Sequence, residues 1–187
     1  HTAIDAANAR LGPSFRVLKG IEVDILADGS LDYPDEVLAS FELVVASVHS
    51  RFNLQASEQT ERMIRAVSNP YVDILGHPTG RLLLTRDPYP LDLFAVIDAA
   101  AENGVAVEIN AHPQRLDLDP AGLRHGLAKG MKTSVNPDAH ETAGIADIAY
   151  GIDTARRGWC TSGNVLNALS LPDLLDWLRQ RRKRAGV

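Results

Sequence analysis

The sequence has little cysteine, no excess of positive charge and no long apolar run. Cys160 is the single cysteine, so no disulfide can form within the chain and nothing requires an oxidising compartment. The formal net charge of −5 excludes a surface that binds nucleic acid by overall charge, although it allows a local basic patch. No apolar stretch is long enough to span a bilayer, and there is no signal-peptide pattern. These absences favour a soluble, cytoplasmic protein without a membrane partner.

The sequence does contain short apolar runs, rich in β-branched residues, that alternate with longer amphipathic stretches. The expected strands are residues 16–25, 43–48, 72–75, 105–109 and 132–135. The expected helices are residues 57–67, 91–103, 120–129 and 171–184, and residues 4–11 also have a helical pattern. Asp119 and Pro120 form a typical helix start. This α/β alternation predicts a mainly parallel sheet, either doubly wound or closed into a barrel.

Polar side chains recur at the ends of these strands, about one β/α unit apart. Parallel α/β folds place their chemistry at the carboxyl ends of the strands, so these side chains should meet on one rim. A single histidine after a strand is more often a structural residue than a ligand. Several histidines that converge with carboxylates favour a Zn²⁺, Mn²⁺ or Fe²⁺ site. The residues in question are Glu22, His49, His77, Asn110, His112, Asp138 and His140.

Six stretches carry a resemblance to the PHP (polymerase and histidinol phosphatase) domain. They are LKGIEVDILADGSLD (18–32), LVVASVHS (43–50), NPYVDILGHPTGRLL (69–83), EINAHPQRLDL (108–118), DAH (138–140) and YGIDTARRGW (150–159). The GIEVD, SVHS and GHPTGRLL series is most similar to the C-terminal PHP domain of bacterial family X DNA polymerases. The resemblance covers almost the whole chain.

This resemblance implies an α/β fold of the irregular (β/α)7 PHP-barrel type, which holds a trinuclear metal site. It implies that Glu22 bridges two metals, that His49 and His77 complete the shell of one, that Asp138 binds the other and that His140 binds a third. The implied metals are Mn²⁺ or Zn²⁺. The family's first motif, a His-x-His pair on an earlier strand, is not in this sequence. We therefore expect residues 1–187 to be one PHP domain that is incomplete at its N-terminus, with residues 16–25 as an exposed edge strand.

Further candidates each have a functional and a structural interpretation. Arg81 and Arg115 could clamp a phosphodiester, or could form ion pairs with an acid such as Asp117. Glu108 could orient a histidine or be an ion-paired acid of the barrel.

Two more candidates lie outside the expected ligand set. His112 could be an extra ligand, although a residue that lines the pocket is the favoured interpretation. The basic tail, residues 179–184, could help to hold DNA, but a solvated helix end is the favoured interpretation.

Three functions remain open on the sequence. The favoured one is a metal-dependent phosphoesterase that acts on DNA 3′ ends, as 3′-5′ exonuclease, 3′-phosphatase or abasic-site nuclease. The resemblance implies that it would serve DNA repair beside covalently attached polymerase domains that use Mg²⁺. A histidinol-phosphate-type phosphatase would share the metal chemistry. The third is a structural PHP domain with an incomplete metal site.

Overall fold

A computed structural model describes residues 1–187, with the exception of the Ser14 side chain. The strands are β1 (Gly20–Asp24), β2 (Leu43–Ser47), β3 (Ile74–Leu75), β4 (Ala106–Asn110) and β5 (Thr133–Asn136). The helices are α1 (Thr2–Leu11), α2 (Asp35–Leu38), α3 (Ala56–Val67), α4 (Leu93–Glu102), α5 (Pro120–Ala128), α6 (Ile148–Arg157) and α7 (Leu171–Ala185). Within the described residues, none of the helices combines the length and apolar character needed to cross a membrane.

The five strands form one parallel sheet in the order β1-β2-β3-β4-β5. Each connection therefore moves to the next neighbour in the same direction, and the strand order never reverses as it would in a doubly wound sheet. The expected α/β fold is confirmed, and the parallel sheet with this strand order agrees with the expected barrel type. All five carboxyl ends point to one rim.

The two faces of the sheet differ in composition. The outer face contributes Val23, Val44, Leu75, Val107 and Ile109 to the main apolar core beneath the helices. The opposite face is apolar only near the amino ends of the strands, where Ile74 and Ala106 pack against Leu166 of a 3₁₀ turn. Towards the rim this inner face becomes polar, because strand residues two apart point the same way and the inward positions there are acidic or amide residues.

Several sequence expectations are confirmed at the level of local structure. Asp119 caps α5 by accepting the backbone N–H of Gly122, with Pro120 in the first turn. The helices expected at 57–67, 91–103, 120–129 and 171–184 are present with ends shifted by at most two residues.

Three details differ from expectation. The strand expected at 16–25 begins only at Gly20, because the backbone of Val17 bonds the Asn8 side chain of α1 instead of a strand. At 72–75 only Ile74 and Leu75 pair as a strand. Helix α6 is not among the helices expected from the sequence, and Gly151 within it explains why. A Cβ there would lie 2.6 Å from Val135 Cγ1, so close packing requires a residue with poor helix propensity.

The basic tail differs only in part from the favoured solvated interpretation, because Arg179, Lys183 and Arg184 are exposed but the two arginines between them are not. Arg181 is fully buried, with its Nε 2.8 Å from Asp73 Oδ1, and Arg182 donates to Asp73 Oδ2 at 3.0 Å. Asp73 also accepts the backbone N–H of Val44. These two arginines therefore fasten α7 to the amino ends of β2 and β3, at the end of the sheet opposite the polar rim.

Candidate metal centre

Glu22, His49 and His77 form a cluster at the carboxyl ends of the first three strands. Glu22 lies on β1, while His49 and His77 each follow the last residue of β2 and β3 by two positions. Glu22 Oε1 is 3.3 Å from His77 Nε2 and 3.6 Å from His49 Nε2. One potential ligand atom of each residue lies within 4.8 Å of the others. One carboxylate and two imidazoles form a donor set that suits a divalent ion such as Zn²⁺, Mn²⁺ or Fe²⁺.

The cluster is buried at one end and open at the other. His77 is only 3% exposed, whereas the side chains of Glu22 and His49 are 45% and 39% exposed. Gly76 makes the burial of His77 possible, because a Cβ at this position would lie 2.2 Å from Ser47 Oγ. A ligand could therefore reach the cluster from the side of Glu22 and His49.

The charges of the cluster are coupled. The hydrogen bond from His77 lowers the pKa of Glu22 from 4.5 to about 2, against the opposing effect of burial. Burial lowers the pKa of His77, but the hydrogen bond to Glu22 and the charge of Glu108 outweigh it, so the pKa of His77 is raised. A histidine nitrogen must be free of a proton to bind a metal, so cation binding at His77 Nε2 would be coupled to the protonation of this pair.

Two residues that support the cluster were not singled out from the sequence. Asp24 Oδ1 lies 2.6 Å from His49 Nδ1. Arg62 is 1% exposed and donates from Nε to Leu26 O at 2.7 Å and from Nη1 to Ser50 O at 3.0 Å, with a third bond to Ile25 O. Two features of the sequence could have indicated them. Asp24 follows Glu22 by two positions on the same strand, and Arg62 is a charged residue on the apolar face of α3. Arg62 ties together the loops that follow β1 and β2.

Glu108 is a buried hub that links β3, β4 and β5. It accepts the backbone N–H of His77 at 2.6 Å and the side-chain amides of Asn136 at 2.8 Å and Asn110 at 3.3 Å. Burial raises the pKa of Glu108. These contacts favour the interpretation that Glu108 orients a histidine over that of an ion-paired acid. Glu108 does so through the backbone N–H of His77 and not through its ring.

Asp138 and His140 lie at the end of β5, on the other side of Asn110. Asn110 Nδ2 donates to Asp138 Oδ2 at 3.0 Å, and Arg115 Nε lies 3.2 Å from the same oxygen. The His140 side chain is 85% exposed, and its Nδ1 is 2.8 Å from the carbonyl oxygen of Asp138. Among the described residues, the group that could hold a metal contains the first three ligand candidates and neither of these two. The ligand roles of all five residues stay a prediction.

The remaining candidates lie around Asp138. His112 lines the same surface depression as Asp138 and His140, and its Nδ1 accepts the backbone N–H of Gln114 at 3.2 Å. Arg81 donates from Nε to Arg115 O at 2.8 Å and also bonds Leu116 O, so it braces the loop that carries Arg115.

Known proteins include relatives that match nearly the whole chain. The chain is 44% identical over 177 residues to the DNA polymerase/3′-5′ exonuclease PolX of Bacillus subtilis, covering 95% of the chain and 31% of that protein. A probable phosphatase of Caldanaerobacter subterraneus is 32% identical, with 91% of the chain and 68% of the relative covered. A probable phosphatase of Thermoanaerobacter is 30% identical, with 91% and 71% covered.

The chain thus spans about a third of the Bacillus protein and about two thirds of the phosphatases. No family model matches the chain. These similarities extend over more than nine tenths of the sequence. The chain belongs to the PHP family, and the part of the Bacillus protein that it matches is that protein's PHP domain.

Proposed function

We propose that the chain is the PHP domain of a family X DNA polymerase and works as a metal-dependent phosphoesterase on DNA 3′ ends. The observation that carries the proposal is the 44% identity, over 95% of the chain, to a protein named for 3′-5′ exonuclease activity. The cluster of Glu22, His49 and His77 supports a metal-dependent hydrolysis. The biological role would be 3′-end or abasic-site processing in DNA repair.

In this proposal the rim binds Mn²⁺ or Zn²⁺. Glu22, His49 and His77 would hold one cation, and Asp138 and His140 would contribute to further metals on the β5 side. When bound, such cations supply Lewis acidity, a more acidic water molecule and neutralisation of phosphate charge. The buried Glu108 would keep the His77 backbone and Asn110 in place while the cations exchange.

Arg115 is the proposed substrate contact. Its Nε is paired with Asp138, and its Nη1 is buried without a hydrogen-bond partner among the described residues. An unpartnered buried guanidinium nitrogen costs free energy unless a ligand satisfies it, and a phosphate oxygen is its natural acceptor. The role proposed for Arg81, the weaker substrate candidate, is to hold the backbone that presents Arg115.

The proposed partners are DNA and covalently attached polymerase domains, which would use Mg²⁺. The second candidate function is a histidinol-phosphate-type phosphatase, and a specific observation favours it. The chain covers 71% and 68% of two relatives named as probable phosphatases, but only 31% of the polymerase.

The test compares these substrates on the full-length protein. A 5′-labelled single-stranded oligonucleotide should be shortened from its 3′ end with Mn²⁺ and remain intact with a chelator. Hydrolysis of histidinol phosphate without any shortening of the oligonucleotide would overturn the proposal. His49→Ala should abolish cleavage and leave polymerisation largely intact. Equal loss of both activities would indicate misfolding.

A further inference from the structure

We propose that Asp24 is a positioning residue that fixes the tautomer of His49 and so selects Nε2 as its metal-binding nitrogen. This inference rests on the proposed function only in requiring that the cluster binds a divalent cation. It requires nothing of the DNA substrate. The resemblance to PHP domains implies no role for Asp24.

The argument begins with the short contact between the two side chains. His49 Nδ1 is 2.6 Å from Asp24 Oδ1, a distance typical of a charge-assisted hydrogen bond. A carboxylate can only accept, so the hydrogen must reside on Nδ1. In a neutral imidazole this leaves a lone pair on Nε2, the nitrogen that faces Glu22 and His77.

The distances on the other side of the ring agree with this assignment. His49 Nε2 is 3.6 Å from Glu22 Oε1, beyond hydrogen-bond range, whereas His77 Nε2 is 3.3 Å from the same oxygen. A lone pair that faces a carboxylate oxygen across such a gap is an arrangement that a cation would satisfy. His49 Nε2 is therefore ready to coordinate a metal, whereas His77 Nε2 lies closer to the Glu22 carboxylate.

The backbone around Asp24 keeps its carboxylate in place. Asp24 is the last residue of β1, and its N–H donates to Asp32 Oδ1 at 3.0 Å while its carbonyl accepts the Asp32 N–H at 3.1 Å. Its partner in the sheet is Ser47, two residues before His49. Adjacent parallel strands thus deliver the acid and the histidine to the same level of the rim.

The chain offers a matched control. His125 Nε2 lies 2.7 Å from Asp98 Oδ1 between α4 and α5, on the outer helical layer. Asp98→Asn removes the same type of charge-assisted bond as Asp24→Asn, but not at the cluster. Both aspartates have partly exposed side chains, so both variants are expected to fold.

The first readout is spectroscopic. In metal-free full-length protein labelled with ¹⁵N-histidine, long-range ¹H–¹⁵N correlations should show His49 with its hydrogen on Nδ1. Asp24→Asn should weaken this preference, because an asparagine amide can also donate to Nδ1, and Asp98→Asn should leave His49 unchanged. A wild-type His49 with its hydrogen on Nε2 would overturn the inference.

The second readout is Zn²⁺ affinity, measured by competition with a chromophoric chelator. Removing the partner of a metal-binding histidine typically costs ten- to hundred-fold, so Asp24→Asn should weaken binding by roughly that factor. Asp98→Asn should change it less than about twofold. The double variant Asp24→Asn/His49→Ala should bind no more weakly than His49→Ala alone, because Asp24 acts through His49.

Unchanged affinity in Asp24→Asn would refute the inference. Additive losses in the double variant would also refute it, because they would make Asp24 a ligand in its own right. If the two readouts behave as expected but the oligonucleotide remains intact, the inference stands and the DNA substrate is wrong. If His49→Ala leaves Zn²⁺ affinity unchanged, the cluster is not a metal site and the inference falls.

Discussion

The two sides of the rim hold their candidate ligands in opposite ways. On the β1–β3 side, His77 is buried, His49 is fixed by Asp24, and Arg62 ties the two loops together. On the β5 side, His140 is largely exposed with its Nδ1 against the carbonyl oxygen of Asp138, while Arg115 and Asn110 both contact Oδ2 of Asp138.

The difference shows that position at a strand end is not enough to make a residue a ready ligand. The spacing along the sequence brings all these side chains to one rim, but their partners decide what each of them does there. The Asp138 carboxylate is paired with an arginine, whereas the Glu22 carboxylate faces two histidine nitrogens that are themselves potential metal ligands. The β1–β3 side is preorganised, and the β5 side is expected to rearrange when metals or substrate bind.

The largest expected effect is a loss of Zn²⁺ affinity that distinguishes the β1–β3 side of the rim from the β5 side. Glu22→Gln keeps the shape of the side chain but removes its charge, so Zn²⁺ affinity and phosphoesterase activity should both fall at least a hundred-fold. Asp138→Asn should reduce hydrolysis by a similar factor while Zn²⁺ binding at the β1–β3 cluster changes only a few-fold. Calorimetric titration and oligonucleotide cleavage would measure both quantities. Equal loss of Zn²⁺ affinity in the two variants would show that the sides act as one site.

The next effect concerns stability. Arg62→Met would leave the carbonyl oxygens of Ile25, Leu26 and Ser50 without their donor, and the free energy of unfolding should fall by about 3 kcal/mol. Arg81→Met removes bonds to two carbonyls in a less buried place and should cost about 1 kcal/mol. Urea denaturation of both variants checks the difference. A larger loss for Arg81 would mean that the loop after β4 is the more tightly held part.

A smaller effect is expected at Arg115. Arg115→Lys keeps the charge but loses the forked donor geometry, so KM for a phosphodiester substrate should rise about tenfold with a smaller change in kcat. Arg156→Lys, at an exposed position on α6, serves as the control and should leave both parameters unchanged. A fall in kcat at constant KM would argue that Arg115 acts on Asp138 and not on the substrate.

The smallest effect is on the pH dependence of stability. The folded-state pKa of Glu22 is lowered to about 2, so its contribution is present above its ordinary pKa of 4.5 and is lost as the pH falls towards 2. In metal-free protein, Glu22→Gln should therefore have a lower Tm than wild type near pH 6, and the gap should narrow as the pH falls below 4.5. Thermal melts in the presence of chelator measure this. A gap that widens on acidification would contradict the assignment.

The fold was largely predictable because buried parallel strands and amphipathic helices leave strong periodic patterns. The strand at 43–48 and the helix at 57–67 could be located from local composition alone. Helix α6 could not be located in this way. Its Gly151 is a poor helix former, and it is required there because Val135 packs too closely for a larger residue. The strand-end pattern identified the ligand candidates and the resemblance to PHP domains implied their roles, but neither held information on how Asp138 and Arg115 contact each other.

The sequence by itself determined the α/β alternation, the spacing of about 30 residues between polar strand ends and the choice of Glu22, His49 and His77 as candidates, because these depend on local patterning. Only the tertiary structure decided which of them touch, that Asp24 and Arg62 hold them, and that Arg181 and Arg182 are fastened to Asp73. These contacts join residues between 25 and 109 positions apart in the chain. A linear pattern of charges cannot specify that pairing.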